Sequence, residues 1–290
     1  MNSSSTPDIF RILTGWYTLL LLLVIVILSS CRRDEEIFSK DKQVKIINQS
    51  YGSDSLQTMD IYLPSNRNDK TPAVICIHGG GWNRGGKNWF EDIAPLFVDE
   101  GIAVASIDYR YADSIEGIEY LDLLSDINKA INFLQCKSNT YGCLFNNLTL
   151  FGHSAGAHLA LLFAYKYQNS SIRNVVSISG ITDLRDTSLL SNAWMASAIS
   201  NLIGGGLDSL KLQDASPIKY CSSVRTILYH GLNDDDVPCS QSIKLFNKIS
   251  LFNLLDRLIL IENATHYFNS DQLRMVVNDV IQMIKSETDN

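Results

Sequence analysis

Basic residues are in short supply: 24 lysines and arginines stand against 31 aspartates and glutamates, a formal net charge of −7. Nucleic-acid binding needs a basic face against phosphate, so that class is excluded as a partner. Histidine and cysteine are also scarce, at five and six in 290 residues, and no spacing between them suits a zinc site. Setting Cys31 aside leaves an odd number of cysteines, which excludes a complete disulfide framework. Cys76 lies inside an apolar run and reads as core. Cys221 and Cys239 bracket a predicted strand too long to be bridged, and Cys136 and Cys143 are close enough in sequence to pair across a loop. There is no internal repeat and no low-complexity tract, and no cofactor or metal is implied. With 46% hydrophobic residues the chain can bury one large core.

A membrane-length hydrophobic stretch is missing too. The longest apolar run, Trp16 to Leu28, has about thirteen residues, short for a span and suited to the hydrophobic region of a signal peptide. It ends in Leu28-Ser29-Ser30-Cys31, which resembles a bacterial lipobox. That resemblance implies removal of residues 1–30, lipidation of Cys31, a charged tether over 31–42 and a folded domain over 43–290. The chain would then be lipid-anchored in the cell envelope, at the bacterial outer membrane or cell surface. The acidic residues after Cys31 resemble a surface-export signal. The alternative is an uncleaved anchor formed by the same apolar run.

The folded part begins with two alternating segments, Val44 to Asn48 and Leu56 to Leu63, which predict antiparallel strands around Gly52-Ser53-Asp54. Ala73 to Ile77 is continuously apolar, as a strand buried on both faces requires. From there strand and helix patterns alternate. Helices are predicted over about 90–100, 120–135, 193–203, from 240 and over 271–285, and strands over 103–107, 148–151, 175–179, 226–229 and 257–261. An antiparallel start followed by repeated βα units predicts an α/β fold: a mostly parallel sheet of about eight strands with helices on both faces.

The chemistry centres on Gly152-His153-Ser154-Ala155-Gly156, which follows an apolar strand and opens an apolar helix. So sharp a reversal needs residues without a Cβ on either side of the serine, and in that setting the pentapeptide is a nucleophile elbow rather than an ordinary glycine turn. His78-Gly79-Gly80-Gly81-Trp82 ends the buried strand over 73–77, and Asp234-Asp235-Asp236 follows the strand over 226–229. His266 follows the last strand in a polar loop.

These motifs, together with Met59 to Pro64, Asp108-Tyr109-Arg110, Ala215-Ser216-Pro217 and His230-Gly231 through Val237-Pro238, resemble an α/β-hydrolase of the hormone-sensitive-lipase-like and bacterial feruloyl or acetyl esterase kind, over residues 44 to 285. The resemblance implies a serine carboxylesterase acting on short-acyl or aryl esters, some of them borne on carbohydrate. Ser154 is then the nucleophile, His266 the base and Asp234 the acid, with Asp183 a second candidate for the acid. Gly80, Gly81 and Ala155 form the oxyanion hole. Asp108 to Arg110 buttress the glycine loop, Asp126 has no evident partner, and His153, His158 and His230 are structural. Tyr111-Ala112-Asp113 departs from the usual Leu-Ala-Pro continuation. The roughly 45 residues between the strands over 175–179 and 226–229 leave room for a short helix but no cap domain, so the site is expected to be open. Two other readings remain: an arylformamidase or peptidase on the same triad, and a non-catalytic surface lipoprotein that binds through this fold.

Overall fold

The computed structural model describes residues 38–220, 222–252 and 255–288. The leader, Cys31 and the lipidation expectation, like Cys221, lie outside the described residues. Eight strands form one sheet: β1 (Val44–Ser50), β2 (Thr58–Leu63), β3 (Ala73–Ile77), β4 (Ala103–Ile107), β5 (Leu148–His153), β6 (Ile172–Ile178), β7 (Arg225–Gly231) and β8 (Arg257–Ile261). Their order across the sheet is β1-β2-β4-β3-β5-β6-β7-β8. β1 runs antiparallel to β2 and β2 to β4, and every later pair is parallel.

The helices are α1 (Ala94–Asp99), α2 (Tyr120–Cys136), α3 (Ser138–Tyr141), α4 (Ala155–Tyr167), α5 (Thr187–Leu190), α6 (Ala193–Leu202), α7 (Ser209–Asp214), α8 (Ser240–Ile249) and α9 (Ser270–Thr288). The expected helix over 90–100 is broken. A short 3-10 turn, Lys87–Phe90, is followed by turn residues before α1 begins. Pro95 explains the break, since its ring would clash with the carbonyl of Glu91 in a continuous helix and it has no N–H to donate. At the second residue of α1 it is tolerated.

Side-chain alternation divides the strands between two cores. Ile75 and Ile77 of β3 pack with Leu150, Val175 and Leu228 under α2 and α4, while Val74 and Cys76 pack with Phe151, Val176 and Ile227 under α1 and α9. Burial on both faces explains why these strands read as unbroken apolar runs. Cys136 is exposed and Cys143 buried, and both are free thiols, so no bridge closes the loop between them. Burial raises the Cys143 thiol to about 12, which keeps it protonated and inert.

Parallel strands share one carboxyl edge, and that edge gathers the loops after β3, β5, β7 and β8 on one side of the sheet, where ligands of open α/β sheets bind. The motifs singled out in the sequence fall on those four loops.

Candidate active site

Ser154 sits between β5 and α4 with φ 54° and ψ −119°, a conformation a non-glycine residue adopts only where its surroundings force it. Two backbone bonds do so. The Ser154 N–H donates to the Ile178 carbonyl at 2.8 Å, and its carbonyl accepts from the His158 N–H at 3.0 Å. The flanking glycines are sterically required: a Cβ on Gly156 would lie 2.0 Å from the Ile77 carbonyl oxygen, so α4 can press against the end of β3 only without one.

His266 lies 112 residues later in sequence and places Nε2 2.9 Å from Ser154 Oγ. Its Nδ1 lies 2.9 and 3.1 Å from the two oxygens of Asp234. A carboxylate only accepts, so Nδ1 carries the proton and Nε2 is left as acceptor for the serine hydroxyl. Asp234 Oδ1 also accepts the N–H groups of Val237 at 2.8 Å and Asp236 at 3.1 Å. Burial alone would raise the Asp234 carboxyl. The bonds from His230, His266 and the Val237 N–H outweigh it and hold the group well below the usual carboxylate range. Asp183, the second candidate for the acid, is instead engaged by Arg185 at 3.1 Å, and its backbone bonds Gln241.

Gly80 and Gly81 line the same cleft as Ser154 and His266, and Ala155 opens α4 directly behind the serine. Gly80 has φ +110° and a Cβ there would meet the Arg84 carbonyl oxygen at 2.2 Å, so the turn is accessible only to glycine. Beneath the loop, Asp108 accepts the Lys87 N–H at 2.6 Å and its ammonium at 3.2 Å. Tyr109 donates to the His78 carbonyl at 2.9 Å and stacks on the His78 ring at 4.3 Å. The expected buttress by Asp108 and Tyr109 is therefore present. Asp126 has partners the sequence did not reveal: Arg110 clasps both its oxygens at 2.8 Å, and Gln57 donates to it at 2.6 Å.

The remaining histidines have specific attachments. His153 donates from Nε2 to the His266 carbonyl at 2.9 Å and stacks on Trp89, and burial lowers its pKa to about 3. It is thus a neutral clamp on the loop carrying His266. His158 accepts from the Trp82 indole N–H at 3.1 Å and donates to the Ala215 carbonyl at 2.7 Å. Burial holds it neutral as well, at about 4, and it ties the glycine loop to the segment between β6 and β7. His230 faces two acceptors with Nε2, the Val237 carbonyl at 2.9 Å and Asp234 Oδ2 at 3.2 Å, so that nitrogen carries the proton and Nδ1 accepts from the Ser242 hydroxyl at 2.7 Å. Sequence reasoning missed this link to Asp234. The signal available was the spacing of four between His230 and Asp234 across a strand end.

The cleft above Ser154 has a volume of about 290 Å³. Ile181, Trp194 and Met195 give it an apolar wall, and Arg84, Asp236 and Tyr267 also line it. Trp194 lies close enough to Gly81 that a Cβ there would meet the indole at 2.9 Å. Among the described residues no group of His, Cys, Asp and Glu is arranged to hold a metal ion, and no helix is long and apolar enough to cross a membrane.

The sequence model of the BD-FAE family matches residues 59–249, more than half of the chain. The isoprenylcysteine alpha-carbonyl methylesterase ICME of Arabidopsis thaliana is 26% identical over 277 residues, covering 86% of this chain and 64% of that protein. The chain spans less than two thirds of the length of the methylesterases it matches first. The kynurenine formamidase of Danio rerio is 32% identical over 142 residues, 47% of this chain and 45% of that protein. Among solved structures, the bifunctional GH43-CE protein of Bacteroides eggerthii superposes with a TM-score of 0.71 at 23% identity, over 85% of this chain and 38% of that one. At that identity the likeness speaks for the fold.

Proposed function

Since the chain belongs to the BD-FAE family and has the α/β-hydrolase fold, we propose that it is a serine carboxylesterase with Ser154, His266 and Asp234 as its triad. The observation that carries the reading is the unbroken chain of bonds from Asp234 through His266 to Ser154 Oγ, each at 3.1 Å or less. In this reading Ser154 Oγ attacks the ester carbonyl as its proton passes to His266 Nε2. We assign the N–H groups of Gly80, Gly81 and Ala155 to the oxygen that becomes negative. Support comes from the positive φ of the two glycines in the cleft lining, a turn set before substrate arrives, so no reorganisation is needed in the transition state. Protonated His266, stabilised by ionised Asp234, then gives its proton to the departing alkoxide. A water takes the alcohol's place and the same steps in reverse order release the acid.

We propose short acyl groups as substrates. What supports this is the apolar wall of Ile181, Trp194 and Met195 close behind Gly81, in a cleft of about 290 Å³. Each acyl methylene gains about 0.8 kcal/mol only while it finds apolar surface to cover. On 4-nitrophenyl esters kcat/KM should peak at about two to four acyl carbons and drop about tenfold by eight to ten. A maximum at ten carbons or more would overturn the short-acyl proposal. Ser154→Ala should abolish turnover, and undiminished turnover in that variant would end the esterase reading. A non-catalytic binding protein would turn over none of these esters in either form.

The likeness to a kynurenine formamidase favours one second reading, an arylformamidase on the same triad. Comparing a formanilide with the matching phenyl ester separates the two, because an anilide demands fuller protonation of its leaving group. We further propose that Cys31 is lipidated after removal of residues 1–30, with Leu28-Ser29-Ser30-Cys31 as support. A Cys31→Ser protein should lose its acyl label; a variant that keeps the label, or a wild-type protein with residues 1–30 still attached, would refute this.

A further inference from the structure

Most arginines with a described partner in this acidic protein are neutralised. Arg110 pairs with Asp126, Arg185 with Asp183, Arg225 with Glu287 and Arg257 with Asp279. Arg84 differs. Among the described residues its guanidinium makes no ion pair, although Asp236 shares its cleft, and its central carbon lies 5.0 Å from the centre of the Trp194 ring. Its main chain is held as firmly as the oxyanion loop, because its carbonyl packs directly on Gly80 and the next carbonyl, that of Gly85, accepts from Tyr111 at 2.7 Å. A guanidinium that rests on an aromatic ring and has no carboxylate partner keeps N–H groups for a ligand, and their fork matches the two oxygens of a carboxylate.

The position of Arg84 gives this cation a role in the site. A second cleft, of about 220 Å³, is lined by residues of the glycine loop together with Trp89, His153 and Tyr267. Gly80, Arg84 and Tyr267 belong to both clefts. The leaving oxygen must lie against His266, which protonates it, and Tyr267 is the next residue. Arg84 and Tyr267 line the second cleft, whereas Ile181, Trp194 and Met195 line only the first, so an alcohol portion that leaves His266 into the second cleft passes beside Arg84.

We propose that Arg84 is a carboxylate-recognition subsite for the alcohol portion of the substrate, so that preferred substrates are esters of acidic alcohols or phenols, such as acylated uronic acids or hydroxybenzoates. A carboxylate suits the site better than a phosphate dianion, which would meet one cation with Asp236 in the same cleft. The proposal rests on the esterase reading and names the substrate class of that same site.

The test compares 3-acetoxybenzoate with its methyl ester, as a ratio of kcat/KM values, in wild type, Arg84→Gln and Arg84→Lys. Differences in intrinsic reactivity between the two esters cancel when ratios are compared across variants. The ratio should fall about fivefold or more in Arg84→Gln, the upper range for a partly exposed charge pair. Arg84→Lys should keep part of the preference, and added salt should lower the wild-type ratio. An equal ratio in wild type and Arg84→Gln, with the methyl ester turned over normally by wild type, overturns this proposal and leaves the esterase reading standing. Failure of wild type to hydrolyse either ester would overturn both. A second pair, 4-nitrophenyl hemiglutarate against 4-nitrophenyl valerate, puts the carboxylate on the acyl side. A larger effect of Arg84→Gln there than on the acetoxybenzoate pair overturns the alcohol-side placement.

Discussion

The two sides of the cleft are built on different principles. On the glycine-loop side, the proposed oxyanion hole, position is set by main-chain conformation: Gly80 at φ +110°, Gly81 at +59° and a loop pinned from below by Asp108, Lys87 and Tyr109. On the base side, position is set by side chains bonding side chains, from Ser242 through His230, Asp234 and His266 to Ser154. The first kind of site tolerates no added atom, whereas the second tolerates substitution so long as a donor or acceptor is replaced. The reason is physical. A backbone N–H can be aimed only by φ and ψ, which a Cβ restricts, but a side-chain donor can be supplied by more than one residue type.

Gly80→Ala tests the first side and should have the largest effect. Its methyl would lie 2.2 Å from the Arg84 carbonyl oxygen in a conformation alanine avoids, so the loop must move and carry its N–H groups off target. Loss of one aligned oxyanion donor lowers kcat by about 10²- to 10³-fold, with KM for a small ester changing far less. A kcat within threefold of wild type would show that the loop adapts and that main-chain geometry is not the constraint.

His230 tests the second side. In His230→Leu, Asp234 loses one of the donors that fix its carboxylate against His266. kcat/KM should fall about tenfold, the value of one hydrogen bond to a charged group. His230→Gln, which keeps a donor near the same place, should recover most of that loss. If Leu and Gln behave alike, His230 is packing and the chain of bonds ends at Asp234.

The same contrast explains what could be read from sequence. The buried strands and the loops at their ends were legible, because burial on both faces leaves unbroken apolar runs and because the glycines of the elbow and of the loop after β3 are demanded by local geometry. Ser154 and His266 stood out from their positions after a strand, Asp234 was singled out from Asp234-Asp235-Asp236 by the resemblance to the esterase family, and the structure brings the three together. Contacts between distant side chains were not legible. His153, His158 and His230 look alike as isolated residues, and only the fold decides that one clamps the His266 loop, one ties Trp82 to Ala215 and one reaches Asp234. Asp126 had no visible partner because Arg110 lies 16 residues away and Gln57 69. The pairing of Arg84 with Trp194 likewise joins segments with no shared pattern.

The smallest expected effect comes from a carboxylate that stands as a control for Asp234. Asp256 precedes β8, at the opposite edge of the sheet from the site, and is buried like Asp234. Asp234 receives bonds from two backbone N–H groups and two imidazoles, whereas Asp256 Oδ1 receives the Thr226 N–H at 2.7 Å and Oδ2 has no partner among the described residues. Donor supply decides the sign. Burial outweighs the Thr226 bond and Arg225 and raises the Asp256 carboxyl to about 6. Because the folded state holds this proton more tightly than the unfolded chain, the stability it contributes is full below about pH 4, the ordinary aspartate value, and is lost as pH rises through about 6. Asp234 works the other way: its lowered carboxyl stabilises the fold above its ordinary value, and that stability is lost as the solution is acidified. Asp256→Asn keeps an oxygen for the Thr226 N–H and removes the titration. Its melting temperature should match wild type near pH 4, exceed it increasingly from there to pH 6, and stay a few degrees higher at pH 7.5, with ester turnover unaffected because the strand end it occupies is remote from Ser154. A constant difference across that range would mean that Asp256 is already ionised in the fold at low pH, and that a single backbone donor is enough to hold a buried carboxylate charged.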